Sequence, residues 1–150
     1  MFNKILVPLD GSENDEVVLD HVKRLAKEFA AAVNVIMLFR LAPADDPFER
    51  NVQMEDGSRG WKAKRKAESY LPQVESALAE ERIAVSTEFL VVEQPEADAI
   101  VKYAEEKGCD LIVFANRERS PLGRFFFGNI EEKVRRRTTL PVLFVSARKS

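Results

Sequence analysis

Along this chain, apolar residues alternate between short continuous runs and stretches in which they recur every three or four positions. A parallel sheet with crossover helices has this pattern, because strands covered on both faces are apolar throughout while surface helices are apolar on one side. Five runs are predicted as strands: residues 5–9, 33–41, 85–92, 111–115 and 141–145. After the first run, Ser12 and Asp15 stand at capping-box spacing, and Val18, Val22, Leu25 and Phe29 follow on one helical face. A longer helix is predicted over 58–81, with Trp61, Ala67, Leu71, Val74 and Leu78 turned inward and Lys and Glu outward. A third helix begins at Pro95, carries Glu96 and Asp98 in its first turn, buries Ala97, Ile100, Val101 and Ala104, and stops at Gly108. The last begins near Asn129, with Glu131 and Glu132 at its positive end and Arg135, Arg136 and Arg137 at its negative end. That basic triplet is expected to be surface that suits the helix dipole rather than a nucleic-acid patch.

Two stretches carry neither period: 42–57, acidic with Pro43 and Pro47, and 116–128, basic and aromatic. Both are longer than a median loop. They follow the second and fourth strands and so fall at the carboxyl edge of the sheet, where open α/β folds bind ligands. Any site is expected there.

Composition narrows the function classes. A chain of 150 residues, 45% hydrophobic and 32% charged, with 6 Gly and 7 Pro, is expected to fold as one domain over 1–150. Its 23 basic and 25 acidic residues leave a net charge of −2, which excludes a long-range positive field for nucleic acid or anionic membrane. Cys109 is the single cysteine, and no Cys or His pair has metal-ligand spacing, so no metal site is expected. The apolar run 5–9 is too short for a signal-peptide core or a membrane span, and the expected location is the cytoplasm. His21, the one histidine, lies beside the apolar face of the first helix without a nucleophile at recognisable spacing, and Cys109 is expected to pack as a small hydrophobe.

Three segments converge on the carboxyl edge: 8–12 after the first strand, Phe39 and Arg40 after the second, and 115–118 with 128–130 around the fourth strand and last helix. Asp10 can accept hydrogen bonds from a ligand or serve as a turn residue before Gly11 and Ser12. The same residues carry a resemblance. The opening KILVPLDGSE, the segment GCDLIVFANRERSPLGRFFFGNIEEKV and the final LPVLFV resemble the universal stress protein family, in order and over the whole chain.

The resemblance implies a three-layer α/β/α sandwich around a five-stranded parallel sheet of order 3-2-1-4-5, Rossmann-like and similar to the adenine nucleotide alpha hydrolases. It also implies a homodimer paired through the last strand, which opens on Pro141 and closes on Val145, ATP bound with Mg in many members, and no assigned catalytic reaction. On this chain the implied nucleotide-binding positions are Pro8, Asp10, Arg40, Ala115, Arg117, Gly128, Asn129 and Ile130. The family's phosphate loop, Gly-x2-Gly-x9-Gly-Ser/Thr, falls on Ala115, Glu118, Gly128 and Asn129, so one of its three glycines is kept. Those glycines allow close backbone approach and free N–H groups around phosphate. Glu118 opposes a phosphate within about 4 Å by roughly 1–4 kcal/mol per unit charge. Arg117 can neutralise phosphate, and Asn129 can donate and cap the last helix. Arg40 stands where the family has a small apolar residue, and Glu93 where it has Gly; Arg40 can stack on a base or fill the pocket.

The expected function is a non-catalytic stress-response and signalling module with a degenerate ATP-binding loop. The alternative is a ligand-independent homodimeric interaction protein, its edge filled by Arg40, Glu93 and Glu118 in mutual ion pairs. An ATP-hydrolysing enzyme would need a metal-binding carboxylate set or a catalytic Lys or His motif, neither of which accompanies Asp10. Phe125, Phe126 and Phe127 are expected in core and dimer packing, and Trp61 in packing against the acidic loop.

Overall fold

Strands form where the continuous apolar runs predict them, and each strand sends alternate side chains to opposite faces of the sheet. In the computed structural model, which describes residues 1–43, 46–116 and 130–146, these are β1 (Lys4–Pro8), β2 (Ala32–Arg40), β3 (Val85–Val92), β4 (Leu111–Asn116) and β5 (Val142–Ser146). All neighbours pair in parallel, in the order β3-β2-β1-β4-β5. β1 is central: Ile5 lies opposite Val33 of β2 on one side and Leu111 of β4 on the other.

Helices α1 (Asn14–Phe29), α3 (Arg59–Glu80), α4 (Glu96–Glu106) and α5 (Ile130–Arg137) cover the two faces, with a short α2 (Pro47–Val52) after β2. On one face Ile5, Val7, Val33, Val35 and Val113 pack with Val18, Val22, Leu71 and Leu78 of α1 and α3. On the other, Leu6, Ile36, Ile112 and Phe114 pack with Ile100 and Ala104 of α4 and Val134 of α5. This is the three-layer α/β/α sandwich. Ile5, Leu6, Ile36 and Ile112 are fully buried, each worth about 1.5–3 kcal/mol of transfer free energy.

Two expectations change. The acidic stretch 42–57 contains α2, which forms because the Asp46 carboxylate accepts the Phe48 N–H at 3.0 Å and Pro47 sits at the first helical position. α1 starts at Asn14, and the Ser12 hydroxyl does not cap it. Asp15 instead reaches back to the Gly11 N–H at 2.7 Å, half of the capping box displaced by one residue. The terminus signals of α3 and α4 are met, while the start of the last helix near Asn129 lies outside the described residues. Ser58 Oγ accepts from Trp61 N at 3.1 Å to start α3, and Gly108, at φ +69°, follows α4. The Arg triplet is engaged locally: Arg136 pairs with Glu132, Arg137 with Asp98, and Arg135 lies over the Phe144 ring.

Candidate functional site

The centre of the site is the turn that leaves β1. Leu9 N still bonds across the sheet to Ile36 O at 2.8 Å, and beyond it the Asp10 carboxylate accepts the Ser12 N–H at 2.9 Å, bending the chain toward α1. Gly11 completes the turn at φ +79°. Its N–H is taken by Asp15 Oδ2, which also accepts the Tyr70 hydroxyl from α3 at 3.0 Å. Asp15 is fully buried. Burial first, and the Asp15 charge second, push the Tyr70 phenol well above its ordinary pKa. One turn earlier on α3, Lys66 donates its ammonium to the Asp10 carbonyl at 3.0 Å. Its stem crosses Gly11 so closely that a Cβ there would sit 2.4 Å from Lys66 Cε.

Beside this turn lies a cavity of about 220 Å³. Met37, Leu38, Phe89, Ile100 and Phe114 give it apolar walls, Ala63 and Lys66 come from α3, and Glu96 comes from the first turn of α4. Of the positions the sequence proposes, Pro8, Asp10, Ala115 and Ile130 line it. Arg40 does not: it is exposed at the end of β2. Arg117, Glu118, Gly128 and Asn129 lie outside the described residues, as do Phe125, Phe126 and Phe127. Glu93, which the ligand-independent alternative sets in ion pairs with Arg40 and Glu118, pairs at 3.1 Å with Arg50. The correction follows from α2, which carries Arg50 to the end of β3.

Lys66, Tyr70, Asp15 and Glu96 were not singled out as site residues from sequence. A usable signal existed for two of them: Lys66 and Tyr70 are four apart on α3 and flank the fully buried Ala67, so both lie at the margin of the inward face. His21 is exposed, and Trp61 is half-buried with Arg65 over its ring. Cys109 is buried, and burial pushes its thiol pKa up against the lowering effect of Lys4.

The described cavity is smaller than the roughly 300–1,000 Å³ of a whole-ligand pocket, and suits a flat base with its sugar. Apolar walls can sandwich such a base, and Lys66 offers a cation at the turn. None of the described lining residues is Ser, Thr, Cys or His. Among the described residues no group of three or more His, Cys, Asp or Glu can hold a metal ion, and no helix is long and apolar enough to cross a membrane.

Comparison with known proteins matches the architecture over its length. Residues 1–146 fit the Universal stress protein family profile. The universal stress protein YxiE of Bacillus subtilis is 31% identical over 150 residues, 97% of this chain and 99% of that protein. The solved structure of MJ0577, a universal stress protein of Methanocaldococcus jannaschii, superimposes with a TM-score of 0.77 at 25% identity, covering 100% of this chain and 99% of that one. A universal stress protein of Archaeoglobus fulgidus, solved in complex with dAMP, gives a TM-score of 0.70 at 21% identity over 95% of this chain and 97% of that one. With this profile match, this sheet order and the fold of the adenine nucleotide alpha hydrolases, the chain belongs to the universal stress protein family.

Proposed function

We propose that the protein is a non-catalytic stress-response module of one domain, 1–150, whose carboxyl-edge cavity takes an adenine nucleotide through a degenerate phosphate loop. The observation that carries this is the cavity itself, apolar on its walls with Lys66 and Asp10 at the β1 turn. The dAMP complex of the Archaeoglobus fulgidus relative supports the ligand class. Pro8, Asp10, Ala115 and Ile130 hold base and sugar, while Arg117, Gly128 and Asn129 serve the phosphates. Mg, when bound, screens phosphate charge and is held mainly by the phosphates themselves.

β5 is an edge strand with Leu143 39% exposed, which supports homodimer pairing through that strand. Cytoplasmic residence is supported by the lone cysteine. A second reading, a homodimer without nucleotide, is favoured by one sequence feature, the loss of two of the three loop glycines at Ala115 and Glu118.

The test is to denature freshly purified protein, identify any released nucleotide, and titrate the stripped protein with Mg-ATP and AMP by calorimetry. Co-purified adenine nucleotide or micromolar binding is expected. No heat at millimolar nucleotide overturns the proposal in favour of the ligand-free dimer, and Mg-dependent ATP turnover above buffer overturns the non-catalytic role.

A further inference from the structure

We infer that Lys66 is a specificity-determining residue of the cavity, a side chain that favours a phosphorylated nucleoside over a neutral one. This deepens the nucleotide proposal and rests on it. Among the described lining residues, Lys66 is the one cation, set against two carboxylates, Asp10 and Glu96. An anionic ligand that reaches the β1 turn can engage this ammonium. The Asp10 carboxylate accepts the Ser12 N–H, and its carbonyl is the acceptor for Lys66 at 3.0 Å. A neutral carbonyl is a weaker partner for an ammonium than a phosphate oxygen, because a hydrogen bond charged on both sides is shorter and stronger. The bond to Asp10 is therefore one that a phosphate can replace.

The helix that carries the side chain is tied to the turn. The Lys66 stem lies over Gly11, where any larger residue would collide with Lys66 Cε, and Ala63, one turn earlier on α3, leaves room beside the cavity. Four residues on, Tyr70 fixes the same helix to the same turn through Asp15. Lys66 thus approaches the cavity from a rigid helix, not from the segment that carries the phosphate-loop residues. That matters because the loop keeps Gly128 alone of its three glycines, and with fewer close backbone donors more of the charge role falls to side-chain cations, Lys66 beside Arg117.

The test compares adenosine, AMP and ATP on the full chain by calorimetry, in the original protein and in Lys66→Met and Lys66→Arg. AMP is expected to bind about tenfold more tightly than adenosine, the order of one charge-assisted contact. Lys66→Met should cut that advantage several-fold while adenosine affinity stays within about twofold, and Lys66→Arg should keep most of it. A purely structural role would weaken adenosine and AMP together. That result, or AMP binding unchanged in Lys66→Met, overturns the role of Lys66 and leaves the nucleotide proposal standing. No binding of any of the three ligands to the original protein overturns both.

Discussion

The sheet ends in a hollow at each edge. At the carboxyl ends of the strands it measures about 220 Å³, between the β1 turn, α3 and α4. At the amino ends it measures about 550 Å³ and is more open, where the last turns of α1 and α3 meet the starts of the strands. The larger hollow has the poorer chemistry. Five alanines and Ile83 line it together with Asn3, Lys27 and Arg82, and nearby polar groups are committed to local structure. Asp110 accepts the N–H groups of Asn3 and Lys4, Lys4 donates to the Lys107 carbonyl, and Glu81 binds Lys23 and Lys27. The smaller hollow has seven large apolar side chains and three charged ones converging on it. What the walls present, rather than the volume they enclose, separates a site from a gap between helix ends.

The two edges also treat the left-handed backbone differently. At the carboxyl edge the residue is Gly11, at φ +79°, pressed by Lys66. At the amino edge Gly108 adopts it at φ +69°, but so do Ala30 at φ +53° and Arg82 at φ +62°, which carry a Cβ in a conformation that disfavours one.

The largest expected contrast is between the two aspartates that receive turn N–H groups. Asp15→Ala strands the Gly11 N–H and the Tyr70 hydroxyl in a buried setting and should cost about 2–3 kcal/mol by urea denaturation. Asp110→Ala removes bonds near solvent and should cost about 0.5–1.5 kcal/mol. Equal costs would remove burial as the difference between the edges. Next, Gly11→Ala should destabilise by about 1–2 kcal/mol, whereas Ala30→Gly should be neutral or stabilise by up to about 1 kcal/mol, since strain relief is partly offset by backbone entropy. A gain from Gly11→Ala would show that neither φ nor the Lys66 contact constrains that turn.

A smaller effect depends on pH. The Tyr70 pKa is raised on folding, so its contribution is fully present below the ordinary phenol value of about 10 and is lost as pH rises through it toward the folded value. Stability measured from pH 8 upward should fall in this window on the order of 1 kcal/mol less steeply in Tyr70→Phe. Tyr103, also raised by burial, remains as background. The smallest effect belongs to the amino edge. Hydrogen bonds from Lys27 and then Lys23 lower the Glu81 pKa, so its contribution exists above its ordinary value and disappears as pH falls through the folded one. Because the group is exposed, Glu81→Gln should flatten this acid-side slope slightly, and high salt should erase the difference.

The sequence by itself determined the five strands, the four longer helices and their inward faces, because hydrophobic period is a local property that both layers of the sandwich must satisfy. It also brought the segments of Pro8, Asp10 and Ala115 to the carboxyl edge, since a strand's end can be read from where its apolar run stops, and the family resemblance picked out these residues and Ile130. It missed α2, where six residues are too few for a period and a single cap at Asp46 starts the helix. Only the tertiary structure could decide that Arg40 faces solvent, that Glu93 meets Arg50, and that Lys66 and Tyr70 close on the β1 turn. Those two contacts join residues 56 and 55 positions apart, which become neighbours only when β1 and α3 pack on one face of the finished sheet.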